Sequence, residues 1–254
     1  MNDLRPAPIE IESAVYLVRP TGRIATNLEE LRNMIEGASD AELFFHSQMP
    51  RMRRHREEDD FAIDDYSAWA RGVIQDPQTA ERLAFAVQTS PHDPHQLRAS
   101  LLEVLGSIST ADRLRRAAPE GGAFIGLVHE TVRIPSTGQA ADAGALVQAL
   151  ADAHLSAWFH HLIERSWAVP HEQTVAGWLD QVGAPKLGTL IEEEAASGRT
   201  VEAMRTRVLN YWRRSRIARN LADRRAMPED TRRETEQAVV AGLVKRLRNP
   251  QGAS

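Results

Sequence analysis

The sequence predicts a predominantly helical α+β protein, two tandem copies of a strand-plus-four-helix unit with a small shared β-sheet. Three observations carry this. Only Ser13 to Val18 and Ala123 to Ile134 have the β-branched and aromatic character of strands. Much of the remaining chain places apolar residues at helical spacing. Landmarks also recur in one order: Phe44-Phe45-His46 and Trp158-Phe159-His160 lie 114 residues apart, Trp69 and Trp178 109 apart, and Leu97 and Met204 107 apart.

In chain order, the first strand ends at Arg19-Pro20-Thr21-Gly22, whose Pro and Gly predict a turn. Asn27, three residues before Glu30, predicts an N-cap and capping box for a helix through Ile35 that Gly37 stops. Ser39 and Glu42 predict the same for Ala41 to Met49, which Pro50 ends or kinks. Asp60 or Asp64 caps a helix through Trp69, and Pro77 and Pro94 open two more. In the second copy the strand runs to Ile134, followed by Thr137-Gly138, and Asp142 caps the next helix. Leu155, Trp158, Phe159, Leu162 and Ile163 form a helical stripe. Helices follow at about Glu172 to Val182, Pro185 to Ala196 and Thr200 to Arg225, with a last one at Glu229 to Arg248. The organisation is a first repeat at 1–118, a degenerate second repeat at 119–226, and a C-terminal helix and tail at 227–254. One strand per copy would leave its backbone groups unpaired, so the strands are expected to pair with one another, or with themselves through a turn near Glu130 to Pro135, in a small sheet at the seam without which neither copy folds alone.

Composition excludes several classes. The 254 residues contain no cysteine, which removes disulfides, thiolate metal sites and cysteine nucleophiles and fits a reducing cytoplasm. The first residues have neither the basic nor the apolar region of a signal peptide, and no run is apolar enough for a membrane span. A cytoplasmic protein without membrane association is expected. Walker, dinucleotide-binding and nucleophile-elbow motifs are missing.

Part of the first copy resembles an uncharacterised prokaryotic domain-of-unknown-function family. The shared elements are the strand ending in Thr21-Gly22, Phe44-Phe45-His46, Asp60-Phe61-Ala62 followed by Trp69, Ala80-Glu81-Arg82-Leu83-Ala84 and the Leu97-Arg98 helix, over about Ser13 to Leu105. The family usually has Asn where this chain has Asp59. The second copy looks like the same family decayed, with His160-His161-Leu162-Ile163-Glu164 kept and no counterpart of Asp60-Phe61-Ala62. The resemblance implies a fold and no activity.

The candidate site residues follow from the repeat. His46, Arg53, Arg54, Asp60 and Trp69 are assigned to a partner or ligand cleft in the first copy, with His160, His161, Glu164 and Trp178 as equivalents in the second. The first functional expectation is a non-enzymatic interaction or regulatory protein with a protein partner. The alternative is an enzyme or binder for a small anionic ligand, with His46 as acid or base, Asp60 orienting it and Arg53 or Arg54 holding charge. Arg51, Arg53, Arg54 and Arg56 beside Glu57 to Asp60 are otherwise an ion-paired, solvated turn. No cofactor and no metal is assigned: Glu42 and His46, and His161 and Glu164, are spaced to share helix faces but lack the Glu-x-x-His order of helical di-iron sites.

Charge supplies a third option. Net charge is −4, yet Arg199 to Arg225 holds nine arginines against two acids. Arg205, Arg216 and Arg219 share one side of that helix and are its candidate nucleic-acid contacts. Arg207, Arg214 and Arg225 lie nearly opposite, around an apolar stripe of Val208 and Trp212, as on an ordinary packed helix. Of the five tryptophans, Trp167 before Val169-Pro170 is the one expected at a surface or partner contact.

Overall fold

A computed structural model describes residues 6–53, 64–90, 93–135 and 139–226. Its elements are β1 (Ile9–Glu10), β2 (Ser13–Ala25), α1 (Leu28–Glu36), α2 (Asp40–Gln48), α3 (Pro50–Arg53), α4 (Asp65–Gly72), α5 (Pro77–Thr89), α6 (Pro94–Gly106) and α7 (Thr110–Arg115). Then come β3 (Phe124–Ile134), β4 (Gln139–Ala140), α8 (Ala143–Asp152), α9 (Leu155–Phe159), a π-helical turn (His160–Glu164) and α10 (Arg165–Ala168). A 3-10 turn (His171–Gln173), α11 (Val175–Gln181), α12 (Pro185–Ala196) and α13 (Val201–Ala226) complete the order. Met1–Leu209 form one compact unit. Asn210–Ser254 form another, whose described part continues α13 with Arg213, Arg214 and Arg216 exposed. Arg54, Asp60 and the Glu229 to Arg248 helix lie outside the described residues.

The fold is predominantly helical α+β, and its centre is an antiparallel ribbon. β2 pairs with β3 from Ser13↔Ile134 to Ala25↔Phe124, so the two strand-like runs satisfy one another. A two-residue ladder of β1 with β4, which has no run long enough to read from sequence, stands beside it. The turn expected at Arg19 to Gly22 is instead a bulge inside one long strand. Pro20 has no N–H to give the ladder, Gly22 takes φ +82°, and the register shifts between Pro20 and Ile24 before pairing resumes.

The helix starts follow their caps. Asn27 Oδ1 accepts from the Glu30 N–H at 2.9 Å, while the Glu30 carboxylate reaches back to the Thr26 N–H at 2.7 Å. Asp142 caps α8 and Ser39 caps α2. At α2 the expected box is incomplete, because Glu42 is buried under the ribbon, accepting from the Thr21 hydroxyl at 3.2 Å with Arg23 3.6 Å away. At α4 the cap is Asp64, whose oxygens accept from the Ser67 N–H at 2.7 Å and the Ser67 hydroxyl at 2.6 Å.

Leu28, Leu31, Ile35, Leu83, Leu97, Leu101 and Leu105 fill the first core with Tyr66 and Trp69. Trp167 is half-buried, with one part packed on that core, edge-on to Phe44 at 5.4 Å, and the rest open to the surface. Helices cross between halves: α2 packs on β3, and α9 on β2. Arg51 is no solvated turn residue either. Its buried guanidinium donates to the carbonyls of Arg199 (2.8 Å), Ala195 (2.6 Å) and Glu194 (3.2 Å), capping the C-terminal end of α12. Burial lowers its pKa to about 10, which leaves it charged at neutral pH.

Two outcomes are expected. Residues 6–118 expressed alone, deprived of β3, should not give a stable monomer; a monodisperse species with native-like helical circular dichroism would contradict the shared ribbon. Burial pushes the Asp64 carboxyl from 3.8 up to about 6, against the Ser67 hydrogen bonds that favour its charge. A raised folded-state pKa stabilises below the unfolded value and loses that contribution as pH rises through the folded one. Relative to Asp64→Asn, the wild type should therefore lose up to about 3 kcal/mol between about pH 4 and 6. Urea unfolding of both proteins across that window checks the sign.

Candidate functional site

His46 sits in the last turn of α2 and is buried. Its Nε2 accepts the Leu127 backbone N–H at 3.0 Å, so Nδ1 carries the proton and donates to Asp65 Oδ2 at 2.9 Å. Among the described residues, Asp65 is therefore the carboxylate that orients it; Asp60, expected in that role, lies outside them. Arg53 closes the chain with two bonds to Asp65 (3.0 and 3.1 Å) and lies 5.5 Å over the Phe45 ring. Both ring nitrogens are engaged, and His46 lines none of the three cavities described among these residues. Trp69 is equally committed, buried edge-on to Phe124 with Nε1 donating to the Gly122 carbonyl at 2.7 Å. Of the described residues of the expected first-copy cleft, His46 and Trp69 are thus packed structure and Arg53 is exposed: His46 is tied to an edge N–H of β3 and has no lone pair left for proton transfer.

The second half is built differently. The helix through Leu155 contains the π-helical turn, whose i→i+5 spacing accommodates an extra residue. As a result His161, not the aligned His160, makes the contact equivalent to that of His46: its Nε2 accepts the Glu12 N–H at 2.8 Å. Ser156 Oγ accepts the next outward N–H of this edge, that of Ala14, at 3.4 Å. His160 is displaced toward Glu164, its Nδ1 2.6 Å from Oε2. His161 and Glu164 consequently do not act together on one helix face.

Glu164 gathers a buried polar cluster. It meets His160, His129 Nε2 at 3.1 Å, the Tyr16 hydroxyl at 3.4 Å and the Thr131 hydroxyl. Burial works to raise its pKa, but the hydrogen bonds from His129, His160 and Thr131 outweigh that and hold the carboxyl at about 2. With Glu164 ionised, both histidines donate to it. Their other nitrogens, His160 Nε2 and His129 Nδ1, are buried without a hydrogen-bond partner among the described residues. Burial, with the neighbouring His160 and Arg165, lowers His161 to about 3, and burial beside Glu164 raises the Tyr16 pKa.

His161 also borders a cavity of about 440 Å³ between the π turn and α11–α12, lined mainly by apolar side chains such as Leu162, Val175 and Ile191. At this cavity His171 is held between Asp180 (3.1 Å) and Glu192 (2.8 Å), and those hydrogen bonds raise its pKa. Trp178 is buried and donates to the Ala7 carbonyl at 2.9 Å. Of the proposed nucleic-acid contacts, Arg205 is spent internally, donating to the Ala151 carbonyl at 2.9 Å and lying 3.7 Å from Glu202. Arg216 is exposed, and the side chain of Arg219 lies outside those described. Sequence reasoning missed His129 and Tyr16, which the β2–β3 ladder brings to Glu164, and Glu12, whose N–H meets His161 just ahead of β2; the one available sign was a polar His129 within an apolar strand run.

Replacing His46 by Phe should cost about 2–4 kcal/mol, since it orphans the buried Leu127 N–H and removes the partner of Asp65. Denaturant unfolding measures this. A change below about 0.5 kcal/mol, the range of an ordinary surface substitution, would refute the edge-tether role.

No curated protein matches the chain. Its fold is similar to that of OrfY from Thermoproteus tenax, with a TM-score of 0.67 and 19% identity, over 81% of this chain and 95% of that one. At that identity the likeness speaks to fold alone. The model of the family of unknown function DUF5752 matches residues 6–213 as one stretch, wider than the 13–105 segment that carries the sequence resemblance, and the chain belongs to that family.

Proposed function

We propose that this is a non-enzymatic interaction protein that docks a protein partner on the β2–β3 ribbon. The observation that carries this is the outer face at the Ser13 end, where Val15, Leu17, Val132 and Ile134 are each 44–54% exposed. Val15 and Val132 pair directly, and strand alternation puts all four on one face while Ala14 and Tyr16 turn to the helices. Aliphatic side chains clustered this way mark association surfaces. The commitment of His46 and of Arg205 to internal bonds weighs against the enzymatic and nucleic-acid alternatives. A cytoplasmic setting belongs to the same reading, resting on the cysteine-free composition. The exchange of helices between strands, with His46 and His161 each holding the other half's backbone, supports an origin of the two halves by duplication.

A second reading rests on the 440 Å³ cavity. With Glu192 and Glu193 among its lining residues, it suits a small apolar ligand bearing a donor or cationic group better than the anionic ligand expected from sequence.

Leu17→Lys with Ile134→Lys should leave folding stability within about 0.5 kcal/mol, as for exposed sites, and abolish partner capture. The check is cross-linking purification from the native host, quantified by mass spectrometry for wild type and variant. Identical partner profiles, or a wild type recovered alone, would sink the ribbon as docking surface.

A further inference from the structure

Beyond that docking surface, and independent of it, the π turn creates a cluster with no counterpart among the described residues of the first half. Glu12, His160 and His161 each place one ligand-type atom within 4.8 Å of the other two. Glu12 lies just before β2 and is half-buried; both histidines are buried. His160 is only 6% exposed and its Nε2 is buried without a partner among the described residues, an arrangement that costs stability unless something occupies that lone pair. Its other nitrogen donates to Glu164, itself fixed by His129, Thr131 and Tyr16. A carboxylate that takes Nδ1–H and leaves Nε2 as the free donor atom is the outer-shell arrangement of metal-binding histidines.

We propose that Glu12, His160 and His161 bind one divalent transition-metal ion of the zinc type, with Glu164 as the positioning residue for His160. Two imidazoles and a carboxylate suit such an ion better than calcium or magnesium, which prefer all-oxygen sets. Three protein ligands leave one position open, and His161 borders the 440 Å³ cavity from which a water or small ligand can enter. Ligand atoms within 4.8 Å of one another can share one ion once each stands roughly 2 Å from it, the bond length of zinc. Glu12 can move, since among the described residues the ion-pair partner of its carboxylate is Arg133, 3.5 Å away and itself exposed. His161 must exchange the Glu12 N–H for the ion, so binding loosens the start of β2 at that bond.

The test uses the full-length, tag-free chain after chelator treatment, titrated with Zn²⁺ by calorimetry and with Co²⁺ by visible absorption. One ion per chain is expected, with Co²⁺ bands of a low-coordinate nitrogen–oxygen site. Glu12→Gln should weaken binding at least about tenfold, Glu164→Gln about 10–100-fold as an outer-shell loss, and His160→Gln most of all. Circular dichroism establishes that each variant is folded. If the buried variants unfold, histidine side-chain ¹⁵N spectra of the wild type decide: two imidazole nitrogens should take metal-bound shifts on adding Zn²⁺. Absence of binding by the wild type, affinity unchanged in both Glu12→Gln and His160→Gln, or no shifted imidazole would each overturn the site.

Discussion

Everything in the first unit depends on two strands that have no other long partner. A lone strand leaves alternate N–H and C=O groups without acceptors and donors, so β2 and β3 must meet and the helices must arrange themselves around the ribbon they form. The ribbon then has two open edges of its own, which natural sheets cover or blunt. Here helix side chains cover them: His46 takes the outward N–H of Leu127, and His161 and Ser156 take those of Glu12 and Ala14. Because each histidine comes from one half and its donor from the other, the same bonds that cap the edges also join the halves. Arg51 adds a third tie by capping α12 from α3.

The halves part company at the π turn. In the first half, one histidine tethers the strand and its outer nitrogen is oriented by Asp65 and Arg53. In the second, the wider turn lets His161 keep the tether while His160 is released to Glu164. Sequence alignment makes the second half look like the degraded copy because it lacks Asp60-Phe61-Ala62. Among the described residues the second half nevertheless holds a cavity, an ionised carboxylate shared by two histidines, and a buried ring nitrogen without a hydrogen-bond partner.

Much of the fold was legible in the residues themselves. Asn27, Ser39, Asp142 and the Asp-Pro pairs before α5 and α6 are local signals that need no tertiary context, and the structure uses them as caps. The two β-branched runs and their mutual pairing were legible for the same reason. The site was not. Arg51 reads as part of a solvated, ion-paired turn and Glu42 as a local capping-box partner, yet both are buried where a distant segment supplies partners. No composition or period announces an i→i+5 turn, and Glu12 lies 148 residues from His160, so their meeting follows only from strand register.

The burial pattern of β3 has one more consequence. Phe124, Gly126 and Val128 are buried, whereas Val132 and Ile134, which share their side of an alternating strand, are exposed, and Ile125 is exposed on the other side beside its partner Ile24. The covered face therefore changes over along the ribbon, leaving bare aliphatic ground on opposite faces at opposite ends. A single flat surface cannot reach both; only something that winds around the ribbon, or two separate bodies approaching from either side, can cover them together, which is the geometry of a bridge rather than of a cup.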